Sequence, residues 1–337
     1  MTDRRARAAA AMIAALALAH ADPAHAYLKF GVRLGNQTVT LKWAQVPVRY
    51  FVSTSNQNVP GVSLDAFQAA VGRAFATWQA VPTASVAYQF AGFTAGLPDE
   101  DDGMSTLGFR NRPELDRVLA QTDFLFDRTT GALIESDIFF NSAFSWSVAE
   151  AGESGRFDLQ SVALHEIGHL SGLGHSALGE TEPRETGGRR VIASEAVMFP
   201  IALAAGSIAA RTLKADDIAG ISDLYPDGDF AQLGSISGRI TRNGQPLFGA
   251  HVVAFDPANG SMVANFTLND PGQFSIAGLS PGPHVLRVEP LDDADLDSFF
   301  ESTRSVDLDF RVTYLDRAVI VPRRGDSGSV TIEVARK

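Results

Sequence analysis

The 337-residue chain is 45% hydrophobic and 20% charged, a globular composition that excludes a wholly disordered, collagen-like or coiled-coil protein and at this length suggests two domains. Its 28 Lys and Arg stand against 39 Asp and Glu, a net charge of −11 with no basic stripe, which argues against nucleic acid as a partner. The absence of cysteine rules out disulfide frameworks, thiolate metal sites and cysteine nucleophiles.

Arg4, Arg5 and Arg7 precede an apolar run over residues 8–19, and Ala24-His25-Ala26 supplies a small-x-small exit. This is the pattern of a secretory signal peptide over residues 1–26, since the run is too short to span a bilayer. The expected location is outside the cytoplasm: secreted and extracellular, or periplasmic. A second apolar stretch, residues 196–210, is interrupted by Pro200 and Gly206 and reads as buried turn and wall rather than as a span.

Residues 27–233 read as an α+β (or α/β) domain. Val46, Val48, Tyr50 and Val52 alternate as in a strand. Ser63 is placed to cap a helix whose apolar stripe is Leu64, Phe67, Val71, Phe75 and Trp78. Strands follow at 85–91, 105–110, 118–126 and 133–140. The acidic run from Asp99 to Asp102 before Gly103 reads as a solvated loop, because one run rarely converges enough oxygens on a hard cation; calcium stays an unplaced option. A second helix opens near Asp158, with Phe157 and Val162 as a hydrophobic staple, and stops near Gly172. A third covers about 214–225 and is halted by Pro226. Beyond 233 the texture changes. Asn243-Gly244, Asn259-Gly260, Pro271-Gly272 and Pro281-Gly282 punctuate short apolar runs, which predicts an all-β sandwich over 234–337, with the domain boundary around 227–234.

The chemistry concentrates in His165-Glu166-Ile167-Gly168-His169-Leu170-Ser171-Gly172-Leu173-Gly174-His175. Residues four apart share a helix face, so His165 and His169 can aim at one point. Gly172 lets the chain leave the helix, and His175 can then approach from another side. Three imidazoles with an open fourth position suit one catalytic zinc ion, whereas structural zinc is closed by four ligands. Glu166 is placed to take a proton from water at the open position. Of seven histidines, His20 and His25 fall in the signal segment and His251 and His284 in the sandwich; the motif holds the other three.

The extended histidine motif resembles that of the metzincin metalloproteases, and Ala196-Val197-Met198-Phe199-Pro200 is similar to their Met-turn. Ser176 after the third histidine is similar to the matrixin, or matrix-metalloproteinase-like, branch. Asp216, Asp217, Ile221, Leu224 and Tyr225 resemble its last helix, and the helix carrying Phe75 and Trp78 its first. The resemblance covers about residues 45–226. It implies a metzincin-like domain with a mostly parallel twisted sheet and three helices, in which His165, His169 and His175 bind zinc, Glu166 is the general base and Met198 forms an apolar floor. It further implies that residues 118–124, with Leu119 and Ala120, are the edge to which a peptide adds, and that Pro200 and Ile201 open the wall of the pocket beyond the scissile bond. The sandwich resembles carboxypeptidase-regulatory-like or immunoglobulin-like domains.

Three features depart from the family pattern. The histidines of a second, structural zinc are missing, the propeptide cysteine switch is missing, and only about 20 residues separate the signal from the first strand, too few for a full propeptide. Residues 179–192 are expected to form a mobile loop beside the cleft. The expected activity is hydrolysis of peptide bonds in protein or peptide substrates; the alternative is a secreted binding or adhesion protein carrying a vestigial zinc domain.

Overall fold

The computed structural model describes residues 5–10, 29–34, 37–185, 188–291, 299 and 306–337. Its first half contains β1 (Arg5–Ala10), β2 (Gly31–Leu34), β3 (Gln37–Thr40), β4 (Lys42–Trp43), β5 (Val48–Ser53), α1 (Leu64–Gln79), β6 (Tyr88–Thr94), β7 (Ser105–Arg110), β8 (Ala120–Asp127) and β9 (Ala132–Asn141). Then come β10 (Trp146–Ser147), β11 (Phe157–Asp158), α2 (Leu159–Leu170), β12 (Gly179–Pro183), β13 (Arg189–Ser194) and α3 (Ala215–Leu224). The main sheet runs β1-β8-β9-β7-β5-β6, with β4 also on β9. Its pairings are parallel except those of β8 with β9 and of β1 with β8, a mostly parallel sheet with three α-helices among the described residues. Residues 1–4 and 11–26 of the expected signal segment lie outside the described residues.

Helix α1 starts where Ser63 accepts a hydrogen bond from the Ala66 amide at 3.2 Å, satisfying an otherwise unpaired first-turn donor. Its stripe of Phe67, Val71, Phe75 and Trp78 is buried on the sheet. Tyr50 stacks on Phe75 at 3.9 Å and Phe67 meets Phe109 at 4.9 Å; such aromatic pairs add about 0.5–1.5 kcal/mol beyond their area. Trp78 donates to the Leu164 carbonyl at 2.8 Å, so the α1 stripe also fixes α2.

Two expectations fail here. Residues 179–192 are not an irregular loop: β12 and β13 pair antiparallel, joined by cross-strand contacts from Arg189 to Thr181 and from Arg190 to Glu182, so the many charged side chains are the outer faces of a hairpin. Within 196–210, only residues 196–200 are buried, and the rest is half-buried or exposed, because small Ala and Gly side chains need no burial.

The described elements after residue 233 are strands: β14 (Gly234–Arg242), β15 (Gln245–Pro246), β16 (His251–Phe255), β17 (Met262–Phe266), β18 (Gln273–Leu279), β19 (Gly282–Glu289), β20 (Thr313–Tyr314), β21 (Val319–Val321) and β22 (Gly325–Glu333). One sheet joins β15, β14 and β18, with β22 on β14. The other joins β17, β16, β19 and β20, with β21 on β19. Ile236, Ile240, Phe274 and Ile276 of the first share an apolar cluster with Val252, Ala254, Val263, Leu286 and Val288 of the second. The pairing of β14 with β22 is parallel in an otherwise antiparallel pair of sheets.

Candidate metal centre

Helix α2 begins at Asp158, whose carboxylate accepts from the Ser161 amide at 2.8 Å and pairs with the Arg211 guanidinium. It ends in a Schellman turn: Leu173 donates to Gly168 O at 3.0 Å and Gly172 to His169 O at 2.8 Å. Gly172 has φ +104°, and a Cβ there would stand 2.3 Å from Leu41 O, so glycine is required. The last carbonyls of the helix find side-chain donors, Leu170 O from Trp43 at 2.8 Å and Ser171 O from Tyr225 at 2.7 Å.

That turn also orients one histidine of the motif. His169 Nδ1 lies 2.8 Å from Leu173 O, and His165 Nδ1 lies 2.7 Å from Val197 O. A carbonyl only accepts, so each Nδ1 carries the proton and each Nε2 presents a bare lone pair. The Nε2 atom of His169 lies 3.1 Å from that of His165 and 3.2 Å from that of His175. With no proton between His165 and His169, these lone pairs repel unless a cation lies among them. Tetrahedral ligation at ~2.0–2.1 Å separates ligand atoms by about 3.3 Å, close to the spacing seen. Among the described residues, His165, His169 and His175 are the cluster able to hold a metal ion. Burial lowers the pKa of His165 and, together with its two imidazole neighbours, pushes His169 well below the ordinary 6.5, which keeps both in the ligating form.

Met198 packs against the helix: a Cβ on Gly168 would come within 2.2 Å of its sulfur, which explains the glycine inside the motif. Asp217 pins the Met198 turn by accepting from the amides of Val197 at 2.8 Å and Met198 at 3.0 Å, as well as from Lys214 at 2.8 Å. Glu166 is buried on the ligand helix and accepts from the Thr122 hydroxyl at 2.6 Å. Burial pushes its carboxyl up to about 8 against the pull of that hydroxyl.

Leu119 and Ala120 lie where β8 begins; Ala120 is buried, and the Leu119 carbonyl already accepts from Asn141. Pro200 is buried, and Ile201 packs against an aliphatic and aromatic cluster that includes Phe199, Phe266 and Phe299. Among the described residues, the acidic run is not part of the cluster able to hold a metal ion. Carboxylates from β9 hold the run at both ends, Asp137 accepting from the Asp99 amide and Glu135 from that of Gly103, while Asp137 also accepts from Thr106 of β7 and Asp99 pairs with Arg110 and Arg112. Sequence reasoning missed Thr122, hidden in an ordinary strand pattern. It also missed the separate tasks of Asp216 and Asp217, although two acids opening an apolar helix are a cue for amide capture. No helix among the described residues is long and apolar enough to cross a membrane.

The chain is similar to known proteins. Residues 42–182 match the family model for the matrixin peptidases. Metalloendoproteinase 1 of Glycine max is 31% identical over 176 residues, 48% of this chain and 46% of that protein. Metalloendoproteinase 1-MMP of Arabidopsis thaliana is 28% identical over 211 residues, 58% of this chain and 48% of its own length. Metalloendoproteinase 5-MMP of Arabidopsis thaliana reaches 44% over 75 residues, 21% of this chain and 16% of its own. The chain thus spans less than half the length of each of these curated relatives. The family match and the histidine geometry coincide on one segment: residues 42–182, which hold the histidine trio, are similar to the matrixin metalloproteases.

Proposed function

We propose that the protein is a zinc-dependent endopeptidase, exported by its N-terminal segment, that hydrolyses peptide bonds in proteins or peptides. The observation that carries this reading is the meeting of three imidazole Nε2 atoms, two of them with the tautomer locked by a carbonyl. It is supported by a carboxylate one residue along the same helix. A zinc ion held by His165, His169 and His175 would supply Lewis acidity to a water molecule and to the scissile carbonyl.

The chain's own residues do the rest. Glu166 takes the proton from the water and returns it to the leaving amine. A general base works best with a pKa near the working pH, and burial moves Glu166 in that direction. Thr122 fixes one carboxylate oxygen, leaving the other to face the water. Met198 closes the site from below and keeps bulk water from the ligands.

Substrate adds as an extended strand along β8, with Leu119 and Ala120 at its start and Pro200 and Ile201 framing an apolar subsite. In support, the outer edge of β8 already accepts β1 antiparallel, from Arg5 opposite Asp127 to Ala10 opposite Thr122, so its backbone groups are aligned for strand addition. The strand-rich C-terminal unit is an accessory β-sandwich. The test is cleavage of casein or a quenched fluorescent peptide library, with and without a chelator. Chelator-sensitive cleavage restored by zinc is expected; no cleavage by zinc-loaded protein would overturn the proposal.

A further inference from the structure

The strands of the two C-terminal sheets differ in how they bury. Along β18 and β19, buried and accessible residues largely alternate, as in strands with one face to solvent. Along β16 and β17 nearly every residue is buried, which requires cover on both faces. The inward face of β17 carries Val263, in the shared core of the two sheets, and Asn265, which bonds Ser275 O. Its other face, Met262, Ala264 and Phe266, meets the peptidase domain. Ala264 and Met262 pack with Leu178 and Ala196, and Phe266 with Ala177 and Phe199. These partners are the residues just after His175 and those around Met198.

A polar link runs through the middle of this apolar contact. Asp216, buried at the start of α3, accepts the Ala264 amide at 2.9 Å on one oxygen and the Ser176 hydroxyl at 2.6 Å on the other. Ser176 follows His175 directly, and its own amide donates to Met198 O at 2.9 Å. A second route is aromatic: Phe266 lies 5.8 Å from Phe299, which meets the His175 ring edge-on at 6.1 Å.

We infer that the C-terminal unit is a working part of the metal centre: β17, through the Ala264 amide and Asp216, holds the loop that delivers His175. Asp216 and Ser176 are positioning residues. Neither touches metal or substrate, and each acts by limiting where the third imidazole can sit. Ala264 lies on the edge strand of its sheet, so its amide is not needed for the ladder there and is available to Asp216. The inference rests on the metal-site reading above.

The test uses the full chain. Zinc affinity is measured by competition with a chromophoric chelator and folding by circular dichroism, for wild type, Ser176→Ala, Ser176→Thr, Ala264→Pro and Ala264→Gly. Ser176→Ala and Ala264→Pro, which delete the two bonds to Asp216, should bind zinc about tenfold more weakly and lower kcat with KM unchanged. Ser176→Thr and Ala264→Gly keep the hydroxyl and the amide and should match wild type. Proline is tolerated on edge strands; should Ala264→Pro fail to fold, Ser176→Ala with its threonine rescue still decides. Folded Ser176→Ala with wild-type zinc affinity would overturn the inference, whereas wild type that neither binds zinc nor cleaves peptides would overturn the proposed function instead.

Discussion

Helix α2 and strand β17 are both buried on nearly all sides, yet they encode their roles differently. The helix carries its chemistry in consecutive residues. His165, Glu166 and His169 are set by helical periodicity, Gly168 by the sulfur beneath it, and Gly172 by the turn that aims His169. Each of these features lies within a few residues of the next. Strand β17 carries no reactive group, and its contribution exists only because Asp216 lies 48 positions earlier in the chain. Local pattern specifies ligands; distant packing specifies where they are held.

The comparison can be broken most sharply on the helix. Glu166→Ala should keep zinc and lose about 10²- to 10⁴-fold in kcat, the usual worth of a general base; near-normal turnover would remove Glu166 from the mechanism. Asp217→Ala leaves two buried amides, of Val197 and Met198, unpaired, and frees that of exposed Lys214; at about 1–3 kcal/mol for each buried group left unsatisfied, thermal unfolding should show a clear stability loss. Gly168→Ala pushes a methyl into the Met198 sulfur and should destabilise by about 1–3 kcal/mol, the range for overpacking, visible as a lower denaturant midpoint. Thr122→Val retains shape and removes the hydroxyl on Glu166; about 1.4 kcal/mol, or tenfold in kcat, is expected, with Thr122→Ser near wild type. The smallest effect concerns pH. Burial holds His165 and His169 below 6.5, so their neutral forms persist as the pH falls past that value, and zinc release should begin only at lower pH. Release tracking pH 6.5 in a metal-content titration would mean solvated imidazoles.

Much of the fold was readable because its signals are short-range. The Leu64-to-Trp78 stripe, the cap at Asp158, the exit at Gly172 and the stop before Pro226 each lie inside one element. The clustering of His165, His169 and His175 was legible for the same reason. Thr122 was not, since a threonine in a strand has no mark until Glu166 is folded against it. The hairpin of β12 and β13 was mistaken for a loop because charged residues with few apolar ones hide strand alternation. The run from His251 to Phe255 did hint at burial on both faces, but only the surface around Leu178 and Ala196 explains what covers the second face.

That double cover on β17 bears on how the gene could be divided. Expressed without the C-terminal sheets, the first half would bare Ala177, Leu178, Ala196 and Phe199 to water, a greasy patch of the sort that drives clumping. Expressed alone, the second half would present Met262, Ala264 and Phe266 along an unprotected sheet margin. Insolubility of either fragment would therefore reflect a lost neighbour rather than a faulty fold, and co-expression of the two pieces should bring both back into solution.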